Sequence, residues 1–225
     1  MSTLVLLSGG LDSAVLLADE AAREGPASVQ PVYVSVGLAW EPAERMAVLE
    51  LLDAPPFAGL RPLASLQVDM RDVYDASHWA VTGRPPAYHT PDEDVYLPGR
   101  NIILLGKAGV YAAAAKLDRI VLGTLAHNPF PDATGEFRAA MARALSLGLA
   151  HDVQVTAPYA GTTKAEVVRR GAALGVPFEL TLSCMSPASG QHCGTCSKCR
   201  ERHDAFLEAG VPDPTTYADL RFVGA

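Results

Sequence analysis

Three absences narrow what this chain can be. No apolar run is long enough to span a bilayer, because the longest, 102–117, is interrupted by Gly106, Lys107 and Gly109. Basic residues are not in excess: 18 Lys and Arg stand against 25 Asp and Glu, for a net charge of −7, which argues against bulk nucleic-acid binding. No basic and apolar leader precedes the first apolar run. We therefore expect a soluble, cytoplasmic protein with no membrane partner.

The order of apolar segments predicts the fold class. The 225 residues are 49% hydrophobic and 19% charged, which suits one sizeable α/β core. Short apolar or β-branched runs alternate with segments that carry apolar residues at helical spacing. This alternation predicts an open, mostly parallel, five-stranded Rossmann-like sheet flanked by helices, with ligands at the carboxyl ends of the strands. The predicted strands are 4–7, 31–36, 63–68, 119–124 and 153–157, and the predicted helices are 14–23, 41–52, 102–116, 138–149 and 164–174.

A glycine turn directly follows the first predicted strand and opens the first predicted helix. Its two glycines can adopt backbone angles closed to other residues, so that main-chain N–H groups can approach a ligand closely. The helix points its partial positive end at the same place, and two serine hydroxyls add donors. These features predict an anion cradle, most often used for a phosphate chain. The spacing fits neither the Walker loop nor the G-x-G-x-x-G dinucleotide turn. The cradle consists of Ser8, Gly9, Gly10, Leu11, Asp12 and Ser13.

A long segment without periodicity precedes the fourth helix. Residues 82–98 are rich in proline and glycine, and a connection of that length indicates a functional loop or lid. Arg100 and Asn101 follow at the predicted helix start, where they can bind phosphate or the base of a nucleotide. The alternative is local: Asn101 caps the helix and Arg100 is solvated.

Polar residues follow the fourth predicted strand at the edge of the sheet where ligands bind. Gly123 ends that strand, and the segment 125–137 brings His127 and Asp132 to this edge. A carboxylate such as Asp132 accepts from two adjacent N–H groups, as a guanine-like edge offers. We therefore predict that Gly123 contacts the nucleotide and that Asn101, His127 and Asp132 contact the second substrate.

A lysine stands where a helix dipole disfavours it. Thr163 and Glu166 have the spacing of a capping box, so Lys164 lies in the first turn of the predicted helix 164–174. The positive end of a helix favours acids, and a phosphate nearby would explain a lysine there. The alternative is a solvated surface lysine.

All four cysteines lie in one short segment, as Cys184, Cys193, Cys196 and Cys199. Four thiolates that close a tetrahedral site are typical of structural zinc. Two disulfides are disfavoured in a reducing compartment, and an iron–sulfur cluster is an open alternative. His192 and His203 flank the cysteines as surplus ligands. We predict a nucleotide-binding domain over 1–183 and a zinc-binding module over 184–225.

Four motifs occur in a characteristic order: the Ser-Gly-Gly-x-Asp-Ser turn, Pro-Gly-Arg-Asn at 98–101, Lys-Ala-Glu-Val at 164–167, and Cys-x8-Cys-x2-Cys-x2-Cys. In this order they resemble the 7-cyano-7-deazaguanine synthase family of the queuosine pathway, within the ATP pyrophosphatase superfamily. The resemblance implies that 7-carboxy-7-deazaguanine, ammonia and ATP are converted into a nitrile by carboxylate adenylation, amide formation and dehydration. It further implies a homodimer.

The resemblance also assigns roles to residues. It implies that the glycine turn holds the ATP pyrophosphate, that Lys164 lies near the phosphates, and that the cysteines bind Zn²⁺. We predict that Asp12, Lys164 and Arg100 are catalytic, and that Asp12 helps to place Mg²⁺ or the turn itself. Because all four cysteines are used by the metal, none is left to carry persulfide, which argues against a transfer RNA thiolase unless sulfur arrives as free sulfide.

Two segments depart from the family pattern. Gly-Leu-Ala-Trp at 37–40 stands where the family usually has Gly-Gln-x-His, and Phe-Pro-Asp-Ala-Thr at 130–134 stands for Tyr-Pro-Asp-Cys-Arg. Two alternatives therefore accompany the synthase: a related enzyme that adenylates or amidates another carboxylate, and a nucleotide-binding module without catalysis.

Overall fold

A computed structural model describes residues 2–188 and 190–223. Within these ranges the strands are β1 (Thr3–Leu6), β2 (Val29–Ser35), β3 (Ala64–Gln67), β4 (Arg119–Val121) and β5 (Gln154–Thr156). The helices are α1 (Leu11–Glu24), α2 (Glu41–Leu52), α3 (Trp79–Thr82), α4 (Arg100–Ala115), α5 (Gly135–Leu149), α6 (Lys164–Ala173) and α7 (Ser197–Ala209).

The five strands form one parallel sheet in the order β3-β2-β1-β4-β5. The central strand β1 pairs with β2 on one side and β4 on the other, so that Leu4 lies opposite both Gln30 and Ile120. Strand order reverses between β1 and β4, and a ligand crevice opens at such a reversal, outside the carboxyl ends of the strands. The predicted fold class is confirmed.

Apolar side chains cover both faces of the sheet, as expected for a parallel sheet. One face packs Leu4 and Ile120 against Leu105 of α4. The other face packs Val5 against α1, α6 and Phe206 of α7. Three of the four cysteines belong to the first of these clusters, so the cysteine segment packs on the main core; the domain boundary at residue 184 stays a prediction.

The predicted helix 41–52 has the same bounds as α2, and the capping box of α6 is confirmed. The Thr163 hydroxyl accepts from the Glu166 amide at 3.3 Å, and the Glu166 carboxylate accepts from the Thr163 amide at 2.7 Å. The prediction did not contain α7, because nearly half of its residues are charged and its apolar stripe is short. Among the described residues, no helix combines the length and hydropathy that crossing a membrane requires.

Candidate active site

A cavity of about 280 Å³ opens at the carboxyl ends of β1, β2 and β4. The glycine turn forms one wall, the start of α4 another, and two loops close it. The residues that line it are Leu6, Leu7, Ser8, Gly10, Asp12, Ser13, Val32, Tyr33, Val34, Glu44, Val95, Tyr96, Leu97, Arg100, Asn101, Leu104, Leu122, Gly123, Thr124, Asn128, Phe130 and Asp132.

Hydrogen bonds within the glycine turn fix its shape. The Ser13 hydroxyl donates to the Gly10 carbonyl at 3.0 Å, and the Gly10 amide donates to the Ser8 hydroxyl at 3.3 Å. No side chain caps α1 at Gly10, so the first amides of this helix can be offered to an anion in the cavity. Two residues of the predicted cradle do not line the cavity: Gly9 packs against α2, and Leu11 is buried in the core.

A chain of alternating charges ties the turn to α6 and α7. Lys164 Nζ lies 3.0 Å from Asp12 Oδ2 and 2.6 Å from Glu201 Oε1, and Lys198 Nζ lies 2.6 Å from Glu201 Oε2. Burial alone would lower the pKa of Lys164, but the two carboxylates outweigh it and raise that pKa. Burial raises the pKa of Asp12 against the opposing charge of Lys164. The alternative of a solvated surface lysine is wrong.

Two polar atoms at the cavity have no hydrogen-bond partner in the part of the chain that the structure describes. They are Asp12 Oδ1 and Arg100 Nε, and both are buried. A buried polar atom left unpaired costs free energy, so unpaired atoms at a cavity indicate where a ligand binds. The pair offers one negative acceptor and one cationic donor to that ligand.

The start of α4 is held by Asp132. The Asn101 amide donates to Asp132 Oδ2 at 3.0 Å, and Asn101 Nδ2 donates to the Asp132 carbonyl at 3.0 Å and to Oδ1 at 3.3 Å. The helix is capped by Gly99, whose φ is +75°, and not by Asn101. The capping alternative is therefore wrong. Arg100 is half-buried and lines the cavity, and its Nε is buried. His127 does not line the cavity and has a φ of +59°.

The sequence predictions missed Glu44, an acid from α2 that lines the cavity. It accepts from the Tyr33 hydroxyl at 3.2 Å and from Trp40 Nε1 at 3.0 Å. Burial raises the pKa of Glu44 to about 7, although Arg100 acts to lower it. The sequence contained a signal for this residue. Glu44 shares the buried stripe of α2 with Val48 and Leu51, and an acid in such a stripe is rarely buried unless it has a partner or a function.

An aromatic pair from two different loops also lines the cavity. The rings of Tyr96 and Phe130 stack with centroids 4.9 Å apart. Tyr96 comes from the predicted lid, and Phe130 comes from the segment after β4 that the sequence placed at the ligand-binding edge of the sheet. A stacked pair of this kind gives a flat surface on which a heterocyclic ring can lie.

The four cysteines form a second candidate site, for a metal. Their sulfurs all lie within 4.8 Å of one another, and no disulfide joins them. Sulfurs at about 2.3 Å from one tetrahedral ion stand about 3.8 Å apart, and the distances from Cys199 Sγ are 3.8 Å to Cys193 Sγ and 3.5 Å to Cys196 Sγ. The disulfide alternative is wrong, and the four residues fit a single metal ion. His192 Nε2 accepts from the Ser183 amide at 3.0 Å, so that nitrogen is engaged elsewhere.

Comparison with known proteins gives the family. The model described as "Queuosine biosynthesis protein QueC" matches residues 2–210. The chain belongs to this family. It is 34% identical over 228 residues to the 7-cyano-7-deazaguanine synthase of Anaeromyxobacter dehalogenans, covering 96% of this chain and 95% of that protein. It is 33% identical to the enzyme of that name from Methanoculleus marisnigri, covering 94% and 96% respectively. The predicted family is confirmed.

A solved structure with the same architecture is more distant in sequence. The U34-tRNA thiolase NcsA from Methanococcus maripaludis, solved with its 4Fe–4S cluster, has a TM-score of 0.51 and 13% identity. The match covers 92% of this chain and 67% of that one. At this identity the likeness shows the fold alone.

Proposed function

We propose that this protein is a 7-cyano-7-deazaguanine synthase that uses ATP. In this reaction the carboxylate of 7-carboxy-7-deazaguanine attacks the α-phosphorus of ATP and releases pyrophosphate, and ammonia displaces AMP to give the amide. The amide oxygen then attacks the α-phosphorus of a second ATP and releases a second pyrophosphate, and elimination of AMP, with loss of both amide N–H protons over the two steps, leaves the nitrile. The observation that supports this proposal most is that one cavity joins an anion cradle, the unpaired Asp12 and Arg100 atoms, and an aromatic pair.

The turn suits the nucleotide half of the reaction. The free amides at the start of α1 and the Ser8 and Ser13 hydroxyls would bind the phosphates and stabilise charge on the departing pyrophosphate. Asp12 Oδ1 is buried and has no partner within the described part of the chain. It would be a ligand of Mg²⁺, which when bound neutralises phosphate charge. Lys164, held by Asp12 and Glu201, would add a fixed positive charge beside the turn.

The opposite part of the cavity suits the acceptor. Arg100 Nε is a donor that finds no partner among the described residues, and it would orient an anionic or carbonyl oxygen. The Tyr96 and Phe130 rings would carry the flat deazapurine. Asp132 fixes Asn101 and the first turn of α4, so its role is to hold this wall of the cavity.

For the cysteines we propose structural Zn²⁺ ligated by Cys184, Cys193, Cys196 and Cys199. Sulfurs that lie within 4.8 Å of one another suit one ion better than an iron–sulfur cluster, whose several irons must fit between its thiolates. With all four thiolates engaged, none is free for sulfur transfer. We further propose that the protein acts in the cytoplasm as a homodimer.

The test is acceptor-dependent turnover of ATP. Purified protein is incubated with ATP, Mg²⁺, ammonium and 7-carboxy-7-deazaguanine, and AMP release is measured. We expect AMP to form only when this acid is present. AMP that forms only with a different carboxylate would indicate a related enzyme that adenylates or amidates that carboxylate. ATP binding without turnover on any acceptor would indicate a nucleotide-binding module without catalysis.

A further inference from the structure

Glu44 lines the cavity but belongs to helix α2 and not to the glycine turn. Only 8% of the residue is exposed, and its two carboxylate oxygens each accept one hydrogen bond, from Tyr33 and from Trp40. An ionised carboxylate has about four lone-pair sites. Each oxygen therefore retains capacity for a further donor, and the cavity is the space from which one can come.

The orientation of Glu44 is set by the segment that departs from the family pattern. Trp40, in Gly-Leu-Ala-Trp, donates its indole N–H to Glu44 and stacks on Trp79 with ring centroids 5.6 Å apart and planes 7° apart. The stack immobilises the indole and thereby the carboxylate that it holds. The residues at 37–40 that differ from the family pattern therefore fix the position of a carboxylate inside the cavity.

Arg100 faces the same cavity without pairing with Glu44. Among the described residues no ion pair within 4.0 Å joins the two side chains, and Arg100 Nε has no partner at all. A negative acceptor and a cationic donor therefore line one space without touching. This arrangement suits a ligand edge that carries N–H donors next to a carbonyl oxygen.

We propose that Glu44 and Arg100 read the amide-and-amine edge of the guanine-type ring of the acceptor. Glu44 accepts from the ring N–H and the exocyclic amine, and Arg100 donates to the neighbouring carbonyl oxygen. The inference rests on the proposed function and names the specificity-determining residues of its acceptor half. It moves the base-reading role from Asp132, whose two carboxylate oxygens already accept from Asn101, to Glu44.

The reaction involves two heterocycles, the guanine-type ring of the acceptor and the adenine of ATP, and their hydrogen-bonding edges favour this assignment. A guanine-type edge offers two adjacent N–H donors to a carboxylate, whereas the corresponding edge of adenine offers an amine beside a bare ring nitrogen. A buried carboxylate with spare acceptor capacity gains most from a ligand that donates twice. The raised pKa of Glu44 is caused chiefly by burial, which outweighs the hydrogen bonds from Tyr33 and Trp40, and it is consistent with a carboxylate that can accept further donors from a ligand.

The test measures binding of two acceptors to two variants by calorimetry. One acceptor is 7-carboxy-7-deazaguanine, and the other is the same ring without the exocyclic amine. We expect Glu44→Gln to weaken binding of the first by 10- to 100-fold, the range for charged hydrogen bonds, and to abolish most of the discrimination between the two rings. The Kd of a non-hydrolysable ATP analogue should not change. Glu50→Gln, an exposed acid on the same helix, is the matched control and should leave all three affinities unchanged.

Thermal melts establish that each variant is folded, and Tyr33→Phe provides a second probe, since it removes one donor to Glu44 and leaves the carboxylate in place. We expect this variant to keep the discrimination. Equal discrimination between the two acceptors in Glu44→Gln and in the wild type would overturn the proposal. A loss of affinity confined to the ATP analogue would also overturn it, because that result would assign Glu44 to the adenine. If the wild type binds neither acceptor, the proposed function itself fails.

Discussion

Gly9 is the position in the glycine turn where a side chain has no room. Its φ is +76°, and a Cβ there would lie 3.0 Å from Val48 Cγ2 and 3.3 Å from the Glu44 carbonyl. Both the backbone conformation and the contact with α2 therefore require glycine. The same contact brings the turn against the helix that supplies Glu44.

We expect Gly9→Ala to lower the free energy of unfolding by about 1–3 kcal/mol through backbone strain, and to weaken binding of an ATP analogue because the turn shifts. Chemical denaturation and calorimetry measure the two effects. Gly210→Ala is the matched control: its φ is +68°, but apart from its chain neighbours no atom of residues 2–188 or 190–223 lies within 4 Å of the added Cβ. Loss of ATP affinity in both variants alike would contradict a role for the local contact.

The pKa of Glu44 predicts how the stability of the folded protein depends on pH. Because its pKa is about 7 in the folded protein against an ordinary value of 4.5, the folded state binds the proton more tightly than the unfolded state. Its contribution to stability is therefore complete below pH 4.5 and is lost as the pH rises to about 7. The two pKa values differ by an amount that corresponds to about 3 kcal/mol.

Glu44→Gln should remove this dependence, since the amide does not titrate. Denaturant titrations at pH 4.5 and pH 8 are expected to show the variant gaining stability relative to the wild type at the higher pH. Glu50→Gln, exposed on the same helix, should follow the wild type at both. Parallel curves for the wild type and Glu44→Gln would show that Glu44 is not the group responsible.

At the scale of elements, α7 links the cysteine site to the glycine turn. It begins at Ser197, directly after Cys196, and its first turns carry Cys199, Lys198 and Glu201. Glu201 holds Lys164, which holds Asp12. A metal that fixes the start of α7 therefore also fixes the charges beside the cavity.

Removal of the metal proposed for the four cysteines should disorder the start of α7 and release Lys164. We expect a chelator to reduce helix content in far-UV circular dichroism and to weaken ATP-analogue binding, with both restored by Zn²⁺. Structural metal sites contribute folding energy directly. Full ATP affinity in a metal-free protein that has lost this helical signal would contradict the link.

Glu201→Gln tests the link without touching a cysteine. Of the two carboxylates that contact Lys164 in the described structure, only Asp12 would remain. The pair would then tighten and withdraw Asp12 from the phosphates. A partly exposed ion pair of this kind is worth about 1 kcal/mol, so we expect a several-fold rise in the KM for ATP with metal content unchanged. Glu208→Gln, exposed further along α7, should behave as the wild type; an equal effect from it would refute the local explanation.

The elements that sequence predicted well are those whose signals are local. The apolar run of β1, the bounds of α2 and the capping box of α6 each depend on neighbouring residues. Helix α7 was missed because its stability comes from Phe206 and Ala205 packing on the second core and from the cysteines, which are contacts distant in sequence. The wall formed by Asn101 and Asp132 depends on a contact between residues 31 positions apart.

At the scale of the whole molecule, the switch point of the sheet determined where the site would be, and the order of motifs gave the family. Neither could place Glu44 in the cavity or bring Tyr96 against Phe130, because these positions depend on how α2 and two loops pack over the sheet. The glycine turn and the cysteines could be found from sequence since each is contiguous or closely spaced. The acceptor half of the cavity is assembled from distant segments.

The identity of the product tests the proposed function most directly. The protein is incubated with ATP, Mg²⁺, ammonium and 7-carboxy-7-deazaguanine, and the deazapurine is followed by mass spectrometry, with ammonium omitted in the control. We expect 7-cyano-7-deazaguanine, with the amide as a transient species and no product without ammonium. An unchanged acid, from protein that binds ATP and contains its metal, would contradict it.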